Sequence, residues 1–240
     1  AIYDDRERKT IVAHREHARE LRKILSKISG KLIINLDEID SLTVADYSDK
    51  IFAQIRSVYF ERINYKEYER LSYIISGVAE PSEIIKDKSI SPFNIGQKLL
   101  LGDFTFQEYV NFIVKASFEW NEKVISRVFY WANGNPRLTW EICSDLEDIM
   151  LGQGELNEEC VDVVVRKLYL SKYDRPPIDH IRSLVQSDKE LREAVIAIKY
   201  GKADILSDRI KSRLYLAGIL GSNYEYGDVR IKNRIVESSL

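Results

Sequence analysis

Apolar positions along this 240-residue chain follow two regimes, short buried-looking runs alternating with helical stretches up to about residue 103, and almost continuous helical periodicity beyond it. The first twenty residues are charged and weakly patterned. Leu21, Ile24, Leu25 and Ile28 then recur at i, i+3, i+4 and i+7, one face of a helix that Gly30 can end. Leu32-Ile33-Ile34-Asn35-Leu36 is a nearly unbroken apolar run and predicts a strand buried on both faces. A helix over about 46–63 places Ile51, Ile55 and Val58 inward, and residues 71–76 predict a second buried strand. Gly77 releases the chain into a loop punctuated by Pro81 and Pro92, and residues 98–101 predict a third short strand. Strand, helix, strand, loop and strand in this order predict an α/β fold with a parallel sheet.

Past Asp103 the pattern predicts helices over about 105–116, 122–132, 135–152 and 157–170. Thr105 and Glu108 have the spacing of a capping box. Asn135 followed by Pro136 has the chemistry of a helix start, a side-chain acceptor and then a residue that needs no N–H partner. Arg175-Pro176-Pro177 is the strongest linker signal in the chain. Helices over about 178–186, 189–199 and 203–216 follow. Apolar stretches near Ile219 and at Val229-Arg230-Ile231, separated by Gly221-Ser222-Asn223 and Gly227, then predict a β-hairpin. Helices ahead of a hairpin suggest a winged helix. The expected domains are residues 1–103, 104–174 and 175–240.

Composition narrows the picture modestly. The net charge is −2, and residues 161–240 carry 15 Lys and Arg against 11 Asp and Glu, too small an excess for a basic binding domain. Cys143 and Cys160 form neither a C-x-x-C pair nor a zinc pattern, which suits a reducing cytoplasm. No signal peptide or apolar run approaching a membrane span is visible, so a cytoplasmic protein is expected. His14, His17 and His180 complete no metal set, and Trp120, Trp131 and Trp140 are expected in a helical core rather than as a base-stacking platform.

The chemistry concentrates after the first strand, where Asp37, Glu38 and Asp40 follow within four residues. In an open parallel sheet, ligands sit at the carboxyl ends of the strands. Mg²⁺ takes one or two carboxylates together with waters and phosphate oxygens. Asp37 would hold such a metal, directly or through water, and Glu38 would polarise an attacking water. The same residues also read as an acidic turn that starts the next helix.

The run Ile33-Ile34-Asn35-Leu36-Asp37-Glu38-Ile39-Asp40 resembles the Walker B strand of a P-loop ATPase. Gly77-Val78-Ala79-Glu80-Pro81-Ser82 and Ser91-Pro92-Phe93-Asn94-Ile95-Gly96 resemble a bacterial or archaeal AAA-like family close to the STAND signalling ATPases, and the resemblance covers about residues 21–240. It implies a partial parallel-sheet P-loop NTPase core followed by a helical lid and a winged-helix module. It also implies ATP or ADP with Mg²⁺ as cofactors, and a slowly hydrolysing nucleotide switch. Ser76 falls where relatives carry a polar sensor of the γ-phosphate; it also reads as a polar strand end. Gly134-Asn135-Pro136-Arg137 resembles the sensor-2 motif, whose arginine contacts phosphates from a helix N-terminus, while an exposed arginine at an ordinary helix start is the other reading. Arg56 and Arg70 are either arginines acting across a subunit boundary or solvated surface charges, and Lys86 and Lys88 read as solvated charges, with facing a phosphate or another subunit as the alternative.

The phosphate-binding loop G-x-x-x-x-G-K-[ST] occurs nowhere in these residues: Gly30-Lys31 and Gly201-Lys202 are not followed by Ser or Thr. The resemblance therefore implies a P-loop upstream of this chain, and a Leu32–Leu36 strand with an exposed edge in these residues alone. The partners it implies are the protein's own effector and sensor domains or other subunits, in a nucleotide-dependent homo-oligomer, with no nucleic acid and no membrane. Two rival readings stand beside it. One is a nucleotide-free scaffold that keeps the fold. The other is a winged-helix DNA-binding regulator contacting phosphates through Arg209, Lys211, Arg213, Arg230, Lys232 and Arg234, although Asp204, Asp208 and Asp228 oppose them.

Overall fold

The computed structural model describes residues 13–77, 84–85, 87–99, 101–152 and 154–240; the side chains of residues 13, 14, 43, 88 and 225 lie outside the description. Val78 to Ser82 of the loop signature and Lys86 are thus outside the described residues, as are the side chains of His14 and Lys88. The chain divides into two compact units, residues 1–99 and 100–240. It is mostly helical, with one small parallel sheet among the described residues.

In the first unit, helix α1 (Ala13–Lys27) buries Leu21 and Leu25, the face read from the apolar spacing. The chain then enters strand β1 (Leu32–Leu36), crosses through helix α2 (Ser48–Phe60) and returns as strand β2 (Leu71–Ile75). The strands pair in parallel, Leu32 opposite Leu71 and Leu36 opposite Ile75. Leu21 and Leu25 of α1 and Val58 of α2 pack on Leu32, Ile34 and Tyr73. Phe52 and Ile55 pack on Leu36 and Ile75 at the other end of the same face.

The expectation that β1 is buried on both faces is therefore wrong. Ile33 and Ile74 are 59% and 53% exposed, because both helices lie on one face and nothing among the described residues covers the other. The expected third strand at 98–101 is also corrected. Residues 98, 99 and 101 are irregular, Leu100 lies outside the described residues, and Leu99 and Leu101 are 77% and 95% exposed, with no neighbouring strand among the described residues to pair them. Among the described residues β1 is paired only with β2, so one edge of each strand carries unpaired backbone groups.

The second unit starts with α3 (Phe106–Lys115) and its expected capping box: Glu108 N–H donates to Thr105 Oγ1 at 3.3 Å, and Thr105 N–H donates to Glu108 Oε2 at 2.8 Å. Helices α4 (Glu122–Ala132), α5 (Pro136–Leu151) and α6 (Glu158–Val165) follow, the last running into a π-helical turn at Arg166–Leu170. After the diproline come α7 (Ile178–Ser187), α8 (Lys189–Lys199), α9 (Asp208–Leu216) and α10 (Arg234–Ser239). The helix expected over 203–216 is shorter because Ser207 caps a new start, its hydroxyl accepting from Ile210 N–H at 3.4 Å.

The expected hairpin is reduced to one antiparallel bridge, Leu220 with Ile231, closed by Lys232 N–H to Ile219 O at 2.8 Å. Ser222–Tyr226 coils into a 3₁₀ turn instead of extending the pairing. One continuous apolar core runs through this unit, bringing Tyr109, Val128 and Ile142 together with Ile181, Leu214 and Ile235. Trp120 and Trp131 pack on that core, whereas Trp140 is 61% exposed, so the expectation of three core tryptophans is right for two.

Candidate functional site

The carboxyl ends of β1 and β2 lie side by side, so Asp37 and Ser76, each one residue past its strand, are brought together. Ser76 Oγ donates to Asp37 Oδ1 at 2.6 Å, and the Glu38 backbone N–H donates to the same oxygen at 3.0 Å. Both bonds favour the ionised carboxylate, and they hold Asp37 below the usual carboxylate range, the serine hydroxyl contributing most. Two backbone bonds lock the loops: Ser76 N–H to Leu36 O at 2.9 Å, and Ile39 N–H to Ser76 O at 3.1 Å. Glu38 sits in the left-handed region at φ 52°, ψ 45°, a conformation that costs a non-glycine residue about 1–3 kcal/mol and collects at functional sites. Gly77 follows because a Cβ there would fall 2.8 Å from Ile39 Cγ1 and 2.9 Å from Asp40 Oδ1.

What could this cluster hold? Asp37 Oδ1 is occupied by its two donors, which leaves Oδ2 for a cation. No group of three or more His, Cys, Asp or Glu side chains among the described residues could cage a metal. That donor set fits a Mg²⁺ ion completed by waters and phosphate oxygens and does not fit a dedicated protein cage. A cavity of about 900 Å³ also opens in this unit, between His17, Tyr47, Ile51, Gln54 and Tyr73. Neither Asp37, Glu38 nor Ser76 lines it.

Arg137 lies in the second unit, as the second residue of α5. Asn135 caps this helix, accepting from Leu138 N–H at 3.0 Å, while its amide donates to Asp103 at 3.1 Å. Gly134, at φ +75°, is dictated by packing: a Cβ there would lie 2.0 Å from Phe104 O, and Phe104 N–H donates to Gly134 O at 2.8 Å. Gly134, Asn135 and Pro136 therefore have architectural reasons, and Arg137 is the one residue of the motif left to chemistry. Its Nε–H donates to Glu141 Oε1 at 2.9 Å, one turn along α5, and its side chain stays 55% exposed.

The other predicted cations turn out to have structural tasks. Arg70 closes the end of α1, donating to Ile28 O at 2.6 Å, Gly30 O at 3.0 Å and also Leu25 O. It is neither a free surface charge nor an available finger, because a cation is favoured at a helix C-terminus. Arg56 pins the Ser91-Pro92-Phe93-Asn94 turn, donating to Ser91 O at 2.7 Å and Asn94 Oδ1 at 2.6 Å. All six basic residues read as a DNA face have acidic neighbours: Arg209 and Arg213 on Glu190, Arg213 also on Asp188, Lys211 on Asp208, Arg230 on Asp228, Lys232 on Asp103, Arg234 on Glu237. The Arg137–Glu141 pair was legible in the i, i+4 spacing; the Arg70 cap, spanning forty residues, was not.

A parallel pair of strands ending in a hydrogen-bonded acid and hydroxyl, with a helical unit in the same chain, is consistent with the class of an AAA-like domain. The comparisons agree: the AAA-like domain family matches residues 20–212, and the chain belongs to that family. It is similar to an uncharacterised WD repeat-containing protein of Synechocystis sp., 35% identical over 140 residues. That alignment covers 56% of this chain and only 12% of the relative. No solved structure matches the chain. Among the described residues no helix is long and apolar enough to cross a membrane.

Proposed function

We propose that this chain is the nucleotide-switch part of a STAND-type signalling ATPase. Asp37 holds Mg²⁺, Glu38 orients the attacking water, Ser76 senses the γ-phosphate through Asp37, and Arg137 contacts phosphates from the helical unit. Residues 1–103 form the second part of a P-loop core, 104–174 a helical lid and 175–240 a winged helix that acts in packing and protein contacts. The P-loop comes from outside these residues, and ATP or ADP is the ligand.

The 2.6 Å bond between Ser76 and Asp37 carries this reading. It couples the polar end of one strand to the metal-binding acid of the next, so a change at the phosphate is felt on both loops. The left-handed backbone at Glu38 supports it, since strain of that kind aims a side chain where ordinary turns do not. The WD repeats named in the relative support partner domains elsewhere in such proteins. The sensing and effector roles of those domains, the cytoplasmic location and the homo-oligomer are part of the proposal and rest on the resemblance alone. The acid-paired cations of residues 209–234 support protein rather than nucleic-acid contacts.

The test uses a longer chain that includes a P-loop. There Glu38→Gln should keep ATP binding and slow hydrolysis by about 10²–10⁴-fold, and Asp37→Ala should lose Mg²⁺-dependent binding. Equal turnover in Glu38→Gln and the parent protein would sink the assignment.

A further inference from the structure

Glu141 gathers more than one partner. Its Oε1 accepts from Arg137 Nε–H at 2.9 Å, and its Oε2 accepts from the Tyr169 hydroxyl at 2.7 Å, with Arg175 Nη1 at 3.6 Å from that oxygen. Tyr169 is fully buried, so it holds the carboxylate from inside. The two guanidiniums approach from outside and stay 55% and 44% exposed, whereas Glu141 is only 14% exposed. Arg137 spends only Nε on this contact, and neither of its terminal nitrogens has an acceptor among the described residues. The backbone of Arg175 is fixed, because its carbonyl accepts from Ile178 N–H at 2.9 Å and Asp179 N–H at 3.2 Å at the start of α7, while its guanidinium is free to move.

We propose that Arg137 and Arg175 form a two-arginine oligophosphate site, and that Glu141 is the built-in counter-ion the phosphate chain replaces. Two positive charges flank one negative, so the cluster has an uncompensated charge that a polyanion would neutralise. Guanidinium forks bind carboxylate and phosphate with the same geometry, so one can stand in for the other. Tyr169 fixes which groups move: were Glu141 to leave, a buried hydroxyl would lose its acceptor, at an appreciable cost. The arginines, exposed and flexible, swing off the carboxylate instead. Arg175 immediately precedes the diproline, so phosphate held by both arginines would tie α5 to the segment that opens α7. This rests on the reading of Arg137 as a phosphate contact and adds Arg175 and Glu141 to it.

The probe is inorganic tripolyphosphate, titrated into the 240-residue chain while the Nε–H resonances of Arg137 and Arg175 are followed by NMR. Both resonances should move with one half-saturation point. Glu141→Gln, which keeps an acceptor for Tyr169, should tighten binding by about two- to tenfold, the effect of removing an exposed competing ion pair from each arginine. Arg175→Ala should weaken it by a similar factor. Movement of Arg137 alone, or binding unchanged or weakened in Glu141→Gln, overturns the proposal while leaving a single-arginine contact intact. No response from either arginine also overturns it, whereas Arg137→Ala leaving ATP binding unchanged in a P-loop-bearing chain would overturn the underlying reading instead.

Discussion

Gly134→Ala tests whether the turn ahead of Arg137 is dictated by packing. Two costs add. The residue sits at φ +75°, where an L side chain loses about 1–2 kcal/mol. The new Cβ would also meet Phe104 O at 2.0 Å, a backbone atom that cannot swing aside as a flexible side chain would. Relief requires the 103–105 backbone to move, which breaks the 2.8 Å bond from Phe104 N–H to Gly134 O and strands a backbone pair, for about another 1–3 kcal/mol. The expected loss is about 2–5 kcal/mol, or a fall of about 5–15 °C in the melting temperature of a unit this size. Gly201→Ala is the control, since φ there is +69° but nothing lies within 4 Å of the added Cβ. It should show the conformational cost alone. Thermal and urea unfolding followed by circular dichroism compare the two. If Gly134→Ala costs no more than Gly201→Ala, the close approach to Phe104 does not constrain this turn.

Ser76→Ala should move the Asp37 pKa up toward the ordinary carboxylate value, since the hydroxyl is the largest influence lowering it; an unchanged carboxyl-carbon NMR titration would refute the bond. Because the folded-state pKa is depressed, the stabilising contribution of this carboxylate is present above the unfolded pKa of about 4 and is lost as pH falls through the folded value. Arg70→Ala should destabilise the first unit by about 1–3 kcal/mol by uncapping α1, and Arg70→Lys should recover only part of this; equal stability of all three proteins in urea would remove the capping role. Burial pushes the Cys143 thiol up to about 12, so in the folded protein a thiol reagent at pH 8 should label the partly exposed Cys160 and reach Cys143 only on unfolding. Equal labelling rates would contradict the packing of α5.

Local physics made much of the chain legible. The 3.6-residue spacing of Leu21 and Leu25, the Thr105–Glu108 capping box and the Asn135–Pro136 start each specify a helix within one or two turns, and each is found. The acids after β1 were visible because a short apolar run ending in carboxylates is a local pattern. An apolar run does not say how many faces will be covered, however. Ile33 and Ile74 looked as buried as Ile34, and only the placement of α1 and α2 on one side of the sheet separates them. Nor does a run such as 98–101 become a strand without a neighbour to bond with. Partnerships across long separations were equally hidden: Ser76 with Asp37, Arg70 with the end of α1, and Tyr169 and Arg175 with Glu141. Residue type supplied the chemistry in each case. Which oxygen each donor reaches depends on how the chain closes through space, and that was decided by the tertiary structure alone.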